Sequence, residues 1–207
     1  MDVTIIIPTI NADEAMLNRC LAQVRATTDD VEVLVPQGGT FAENCNYGAA
    51  QATTDLLVLL NDDTLPRAGW LEPMVAALDH AGVVGSRLLY PDGSIQHAGV
   101  YFIVDNGQLH GQHFHNERES GPVDAVTAAC MGISRGLFNE LGGFDELFRN
   151  GNEDVDLCLR ARQAGHTIWY CAESTVVHYE SRSGPKRWEH VGENVARLNQ
   201  LWTLNER

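Results

Sequence analysis

The chain has 207 residues, 44% of them hydrophobic, and a formal net charge of −14. That length suits one domain with a substantial core. The acidity excludes a nucleic-acid surface, because phosphate backbones are gripped by clustered Lys and Arg, which are scarce here. Apolar runs of about five residues exclude a bilayer span.

Met1-Asp2-Val3-Thr4 has no basic leader ahead of its apolar stretch, so the chain reads as soluble, unprocessed and cytoplasmic. Cys20, Cys45, Cys130, Cys158 and Cys171 lie far apart with no C-x-x-C pair, which points to buried thiols in a reducing compartment. An acidic protein that takes a phosphorylated ligand must supply positive charge locally, through a metal or a few placed basic residues.

Val3–Ile7 is a β-branched run stopped by Pro8 and reads as a first strand. Asn11 or Asp13 caps a helix on which Leu17, Leu21 and Val24 recur at helical spacing. Val31–Val35 makes a second strand, closed by Pro36-Gln37-Gly38-Gly39, and a helix from Asn44 to Ala52 leads to a third, Leu56–Leu60. Strand and helix alternate over these sixty residues, which implies βαβ units and a parallel sheet. Trp70, Leu71, Met74, Val75 and Leu78 form the apolar face of the next helix, ended by Gly82.

Beyond Val83-Val84-Gly85 the pattern changes. Arg87–Tyr90, the Pro91-Asp92-Gly93 turn and Ser94-Ile95-Gln96 read as a hairpin, with another strand at Val100–Val104. Asp105–Pro122 reads as a long polar loop and Val123–Ala129 as a strand. Short helices follow at Arg135–Leu141 and from Asn152, then strands at His166–Cys171 and Val176-Val177. Ser181–Lys186 is a loop, and a last helix carries Val191, Val195, Leu198 and Trp202 on one face.

The Leu56–Leu60 strand ends in Asn61-Asp62-Asp63-Thr64. A doubly wound sheet binds ligands beyond the carboxyl ends of its strands, and two adjacent acids there repel unless a cation lies between them. Oxygen ligands select magnesium or manganese, which keep positions open for phosphate oxygens. The same residues also suit a solvated turn capping the next helix.

Glu153-Asp154 opens a helix, where acids complement the dipole or, held rigidly, serve as a general base. His178 can complete a metal site begun by Asp63. Arg182 and Lys186, with Arg187, are a candidate clamp on a diphosphate. His110, His113 and His115 have metal-like spacing, but polar loops collect histidines. G-x-G-x-x-G, a P-loop and G-x-S-x-G are all absent.

Ile5-Ile6-Ile7-Pro8-Thr9-x-Asn11, Asn46-x-Gly48, Asn61-Asp62-Asp63-Thr64, Asp92-Gly93-Ser94-Ile95-Gln96-x-x-Gly99, Gly142-Gly143-Phe144-Asp145-Glu146, Glu153–Arg160 and His178 follow one another in the order of family 2 glycosyltransferases. The resemblance spans nearly the whole chain. It implies the α/β GT-A fold, a Rossmann-like, mostly parallel central sheet flanked by helices with a small antiparallel addition. A single domain would cover 1–207, with a nucleotide-sugar half at 1–100 and an acceptor and catalytic half at 101–207.

The resemblance implies transfer of a sugar from a nucleotide diphosphate to an acceptor hydroxyl, with inversion. Asp63 falls at the metal-ligand position, Asn61 or Asp62 near ribose and phosphate, and His178 where a residue can join the metal. Asp154 matches the base, with Glu153 beside it, and Thr9 and Asn46 fall among nucleotide contacts. One departure is Pro36-Gln37-Gly38-Gly39, where the family usually has an acidic turn that holds the base of the nucleotide; the amide of Gln37 can still meet a base edge. UDP is the favoured donor, with dTDP and GDP open. Partners are then the donor and a glycan or other hydroxyl acceptor, and a homo-oligomer is allowed. The 105–122 loop and Cys130-Met131-Gly132 are expected to shape the acceptor site. A non-catalytic nucleotide- or glycan-binding module, or a structural subunit of a glycan-assembly complex, is the alternative.

Overall fold

The computed structural model describes residues 2–10, 13–180 and 189–202. Strands β1 (Val3–Ile6), β2 (Glu32–Leu34) and β3 (Leu56–Leu60) are parallel and ordered β2-β1-β3, with helices α1 (Glu14–Thr27) and α2 (Phe41–Gln51) as crossovers. Asp13 caps α1, its carboxylate accepting from the N–H groups of Ala15 and Met16 at 3.1 and 3.2 Å. Asn11 lies outside the described residues. The second helix starts three residues before the expected Asn44, because Thr40 and Glu43 form a reciprocal capping box that satisfies two otherwise free backbone donors. Its Gly48 lies where an added Cβ would come within 2.6 Å of Ile6, so glycine lets the helix close on β1.

The short β4 (Thr64–Pro66) and helix α3 (Leu71–Ala77) follow, then β5 (Val83–Leu89), β6 (Ile95–His97), β7 (Val100–Asp105), β8 (Gln108–His113), β9 (Gly121–Val123) and β10 (Cys130–Ser134). Helices α4 (Arg135–Glu140) and α5 (Glu153–Gln163) precede β11 (Ile168–His178) and α6 (Val191–Trp202). The central sheet has 9 strands, its main path β2-β1-β3-β10-β5-β11-β4. β1, β2, β3, β5 and β11 run one way, and β10 is inserted antiparallel between β3 and β5. Strands from the first and second hundred residues thus share one sheet. One apolar layer packs α2, α4 and α5 on one side, and a second packs α1 and α3 on the other. No helix among the described residues is long and apolar enough to cross a membrane.

Five expectations are corrected. Asp105–Pro122 is no uniform loop: β7 and β8 form a two-stranded sheet turned at Asn106-Gly107, whose φ angles of 50° and 76° suit a tight hairpin, and β9 begins at Gly121. Val123–Ala129 is largely irregular; its apolar character reflects burial of Ala125, Val126, Ala128 and Ala129, with Val126 packed over β5. The stretch from Val83 is continuous with the hairpin strand as β5, and the two late strands are one, β11, with a register break between Cys171 and Thr175. The second helix begins at Phe41, as above.

Gly85, at the centre of β5, is held by that packing: a Cβ there would sit 2.4 Å from Cβ of Val126. Gly85→Ala is expected to lower stability by roughly 1–3 kcal/mol through overpacking, read as an earlier urea midpoint at unchanged slope.

Candidate functional site

The carboxyl ends of β1, β2, β3 and β11 open onto one crevice. At its β1–β2 end Thr9 and Gln37 form an isolated parallel bridge, with the N–H of Thr9 donating to Pro36 O at 2.9 Å. Buried Asn44 ties the two loops together, donating to Thr9 O (3.0 Å) and Gly39 O (3.2 Å) and accepting from the N–H of Gly39. Gln37 is exposed at this mouth.

Asn61-Asp62-Asp63-Thr64 is a tight turn closed by the Thr64 hydroxyl donating to Asn61 O at 2.7 Å. It leads into β4 and caps no helix; α3 starts only at Leu71. Antiparallel pairing of β11 with β4 sets His178 opposite Thr64, and the N–H of Tyr179 donates to Asp63 O at 2.9 Å. Asp63 and His178 are thereby buried side by side, 8% and 7% exposed, with Nε2 of His178 3.1 Å from Oδ1 of Asp63 and 3.2 Å from Nδ2 of Asn61.

The other ring nitrogen fixes the proton. Nδ1 of His178 lies 2.6 Å from Oε1 of Gln96, whose Nε2 faces His178 O and Glu180, both acceptors. Gln96 therefore accepts from Nδ1–H, and in the neutral ring Nε2 carries a lone pair. That lone pair meets Nδ2 of Asn61, which donates to it at 3.2 Å, and faces at 3.1 Å a buried Asp63 oxygen with no hydrogen bond of its own. Two facing lone pairs want a shared cation, and a second-sphere acceptor on the far nitrogen is the usual setting of a metal-ligating histidine. Burial and the charge of Asp63 push the neighbouring Asp62 carboxyl up to about 6, a further sign of uncompensated negative charge. The donor set of one carboxylate and one imidazole fits manganese or magnesium with positions open for phosphate oxygens. Among the described residues no group of three or more His, Cys, Asp or Glu converges as a metal cluster.

Asp154 is tied to the same turn through backbone. Its Oδ2 accepts from the N–H of Ala128 at 3.0 Å and its Oδ1 from that of Val155 at 2.8 Å, while Ala129 O accepts from Asn61 N–H at 3.0 Å. Glu153 points elsewhere: it is 5% exposed, accepts from Gly151 N–H at 2.6 Å, and lies near Cys45 on α2, whose thiol is pushed up by burial and then by the charge of Glu153. Burial, then the charge of Asp154, push Glu153 up to about 7.

The amide of Asn46 donates to Phe144 O and Glu146 and accepts from Phe144 N–H, bracing the Gly142–Glu146 segment on α2. Arg182 and Lys186 lie outside the described residues, as does Arg187. The histidine tract does not assemble as read. His110 sits on β8 opposite Ile103, whereas His113 meets His97 on β6, their Nδ1 atoms 2.9 Å apart. Sequence reading missed Gln96 and Asn44. Gln96 left a signal, a polar residue between apolar Ile95 and buried His97 on a hairpin strand.

The raised Glu153 carboxyl makes a linkage prediction. Its folded-state affinity for a proton exceeds its unfolded one, so its charge destabilises the fold as pH rises from about 4.5 towards about 7. Glu153→Gln, which keeps an acceptor for Gly151, should melt like the parent at pH 5 and gain on the order of 2 kcal/mol over it at pH 8. Equal melting at both pH values would contradict a buried, proton-holding Glu153.

The whole site sits on a chain with clear relatives. Residues 1–197 match the family described as glycosyltransferase like family 2. An O-antigen biosynthesis protein, RfbC, of Myxococcus xanthus is 36% identical over 67% of this chain and 12% of its own length. A pre-mycofactocin glycosyltransferase of Mycobacterium tuberculosis is 32% identical over 77% of this chain and 34% of its own. The chain thus spans only a minor part of these relatives. A crystal structure described as GalNAc-T7 with UDP, GalNAc and Mn2+ superposes over 97% of this chain and 48% of its own, with a TM-score of 0.73 at 16% identity. The fold is accordingly GT-A, and the chain belongs to the glycosyltransferase-like family 2.

Proposed function

We propose that this domain is a metal-dependent inverting glycosyltransferase that moves a hexose from a nucleotide diphosphate sugar, with UDP favoured, to a hydroxyl of a glycan or similar acceptor. The observation that carries the reading is the buried approach of Asp63 to the lone-pair nitrogen of His178, with Gln96 on the ring's other side. Asp63 and His178 would hold Mn2+ or Mg2+, which when bound supplies a Lewis acid for the leaving diphosphate. UDP is supported by the structural neighbour described with UDP and Mn2+.

The chain's own residues do the rest. Thr9, Gln37 and the Asn44-braced loops offer the nucleotide mouth, and Asn61 and Asp62 share one tight turn with Asp63. Asp154, held by two backbone donors on a rigid helix end, takes the proton from the acceptor hydroxyl as that oxygen attacks the anomeric carbon. A single acting carboxylate without a protein nucleophile suits inversion. Glu153, buried towards α2, tunes and supports Asp154 rather than meeting substrate. The 1–100 half then serves the donor, apart from His178, and the 101–207 half supplies that histidine, the base and the acceptor surface. Five buried free thiols fit a reducing, cytoplasmic setting.

The test is nucleotide diphosphate release from UDP, dTDP and GDP sugars with manganese, magnesium or EDTA, alongside nucleotide binding. Asp63→Ala and His178→Ala should lose metal-dependent nucleotide binding. Asp154→Asn should keep binding while its turnover falls roughly 10²–10⁴-fold. Nucleotide binding that ignores both metal and Asp63 would refute the reading.

Gln96→Leu leaves Nδ1 without its acceptor and frees the tautomer. Manganese affinity, followed by electron paramagnetic resonance of the free ion, should drop roughly 10–100-fold. An unchanged affinity would remove Gln96 from the site.

A further inference from the structure

A cavity of about 470 Å³ opens at the opposite end of α5 from Asp154, lined among others by Tyr101, Phe114, Arg118, Val123, Arg162 and Ile168. Arg162 is eight residues along α5 from Asp154, so some 12 Å separate the two along the helix axis. Ile168 begins β11 and His178 ends it, which puts the cavity at the far end of the strand from the donor crevice. Its size is that of a small-ligand site.

Charge in the cavity is unbalanced in one place. Asp124 is saturated, one oxygen paired with Arg162 at 2.9 Å and the other accepting from Phe102 N–H at 2.8 Å. Glu117, adjacent in sequence to Arg118, pairs instead with Arg87 at 3.3 Å. Arg118 has no ion pair among the described residues: its guanidinium stacks 4.3 Å over the ring of Phe114 and 5.8 Å from that of Tyr170, and its Nη1 is shut off from solvent without an acceptor among them. Beside the guanidinium, Tyr101 and Phe114 pair their rings at 4.7 Å and offer an apolar wall.

We infer that this cavity binds a pyranose bearing a carboxylate, the acidic unit of a glycan. The carboxylate presents two coplanar oxygens to the Arg118 fork, and the C–H face of the ring lies on Tyr101 and Phe114. A bare anion would use the arginine and leave the aromatic wall empty; a neutral sugar would leave the guanidinium unmatched. The site stands apart from the donor crevice, so it holds or fails independently of the metal-dependent reading.

The test is saturation-transfer NMR and titration of the chain with methyl β-glucuronide, methyl β-glucoside, acetate and inorganic phosphate. The glucuronide should bind at least about tenfold more tightly than the other three, with saturation concentrated on its ring protons. Arg118→Gln and Phe114→Ala should each weaken it at least about tenfold with melting temperature retained, Arg118→Lys less, and Asp63→Ala not at all. Equal binding of the glucoside, acetate or phosphate, glucuronide binding that survives Arg118→Gln, or no binding by the parent chain would overturn the inference.

Discussion

The register of β11 on β4 governs the site. Pairing His178 with Thr64 and Val177 with Leu65 brings a histidine from near the end of the described chain against an acid that follows the third strand. Side chains alternate across a strand, so a slip of one residue would turn His178 to the other face and leave Asp63 buried with no neighbour of its chemistry. The β11 strand is held on its other edge by β5, and the break between Cys171 and Thr175 lets one strand serve both partners. The Tyr179 N–H bond to Asp63 O locks the pair at the last step.

The acids of this strongly acidic chain fall into two kinds. Asp156, 2% exposed, is met by Arg160 at 2.7 Å and by the indole N–H of Trp202 at 2.8 Å, and Asp145 is met by Arg197. These pairs join α5, α6 and the segment before α5 and carry no open coordination. Asp62 and Glu153 have no Lys or Arg partner among the described residues and hold protons more tightly than ordinary carboxylates, while Asp63 meets His178 rather than Lys or Arg. Charge is compensated at the framework acids and left uncompensated at Asp62 and Glu153, a contrast that burial alone does not draw.

Much of the framework was legible because local chemistry and tertiary packing agree there. Leu56–Leu60, apolar on every position, is the strand read from sequence, and Asp13 caps the helix it precedes. The β7–β8 hairpin was missed although Asn106-Gly107 announces it, because Gln108–His113 is exposed and polar and lacks the apolar alternation of a half-buried strand. Val123–Ala129 misled in the opposite sense: its apolar residues serve packing over β5 and α5, while the ladder itself starts at Cys130. Thr40-x-x-Glu43, a capping box in the sequence itself, marks the true start of α2 ahead of Asn44.

By itself the sequence determined the alternating α/β framework, the acidic turn at the end of the third strand and the identity of the groups able to bind a cation or take a proton, since these follow from local periodicity and side-chain chemistry. Only the tertiary structure decided which of them meet. It joined Asp63 to His178, gave Gln96 the task of orienting the imidazole, turned Glu153 inward and Asp154 towards the turn, and put Asn46 to bracing a neighbouring segment. The reason is physical: strand register and helix docking are set by burial of apolar faces far along the chain, and no local pattern specifies which polar groups those contacts bring within hydrogen-bonding distance.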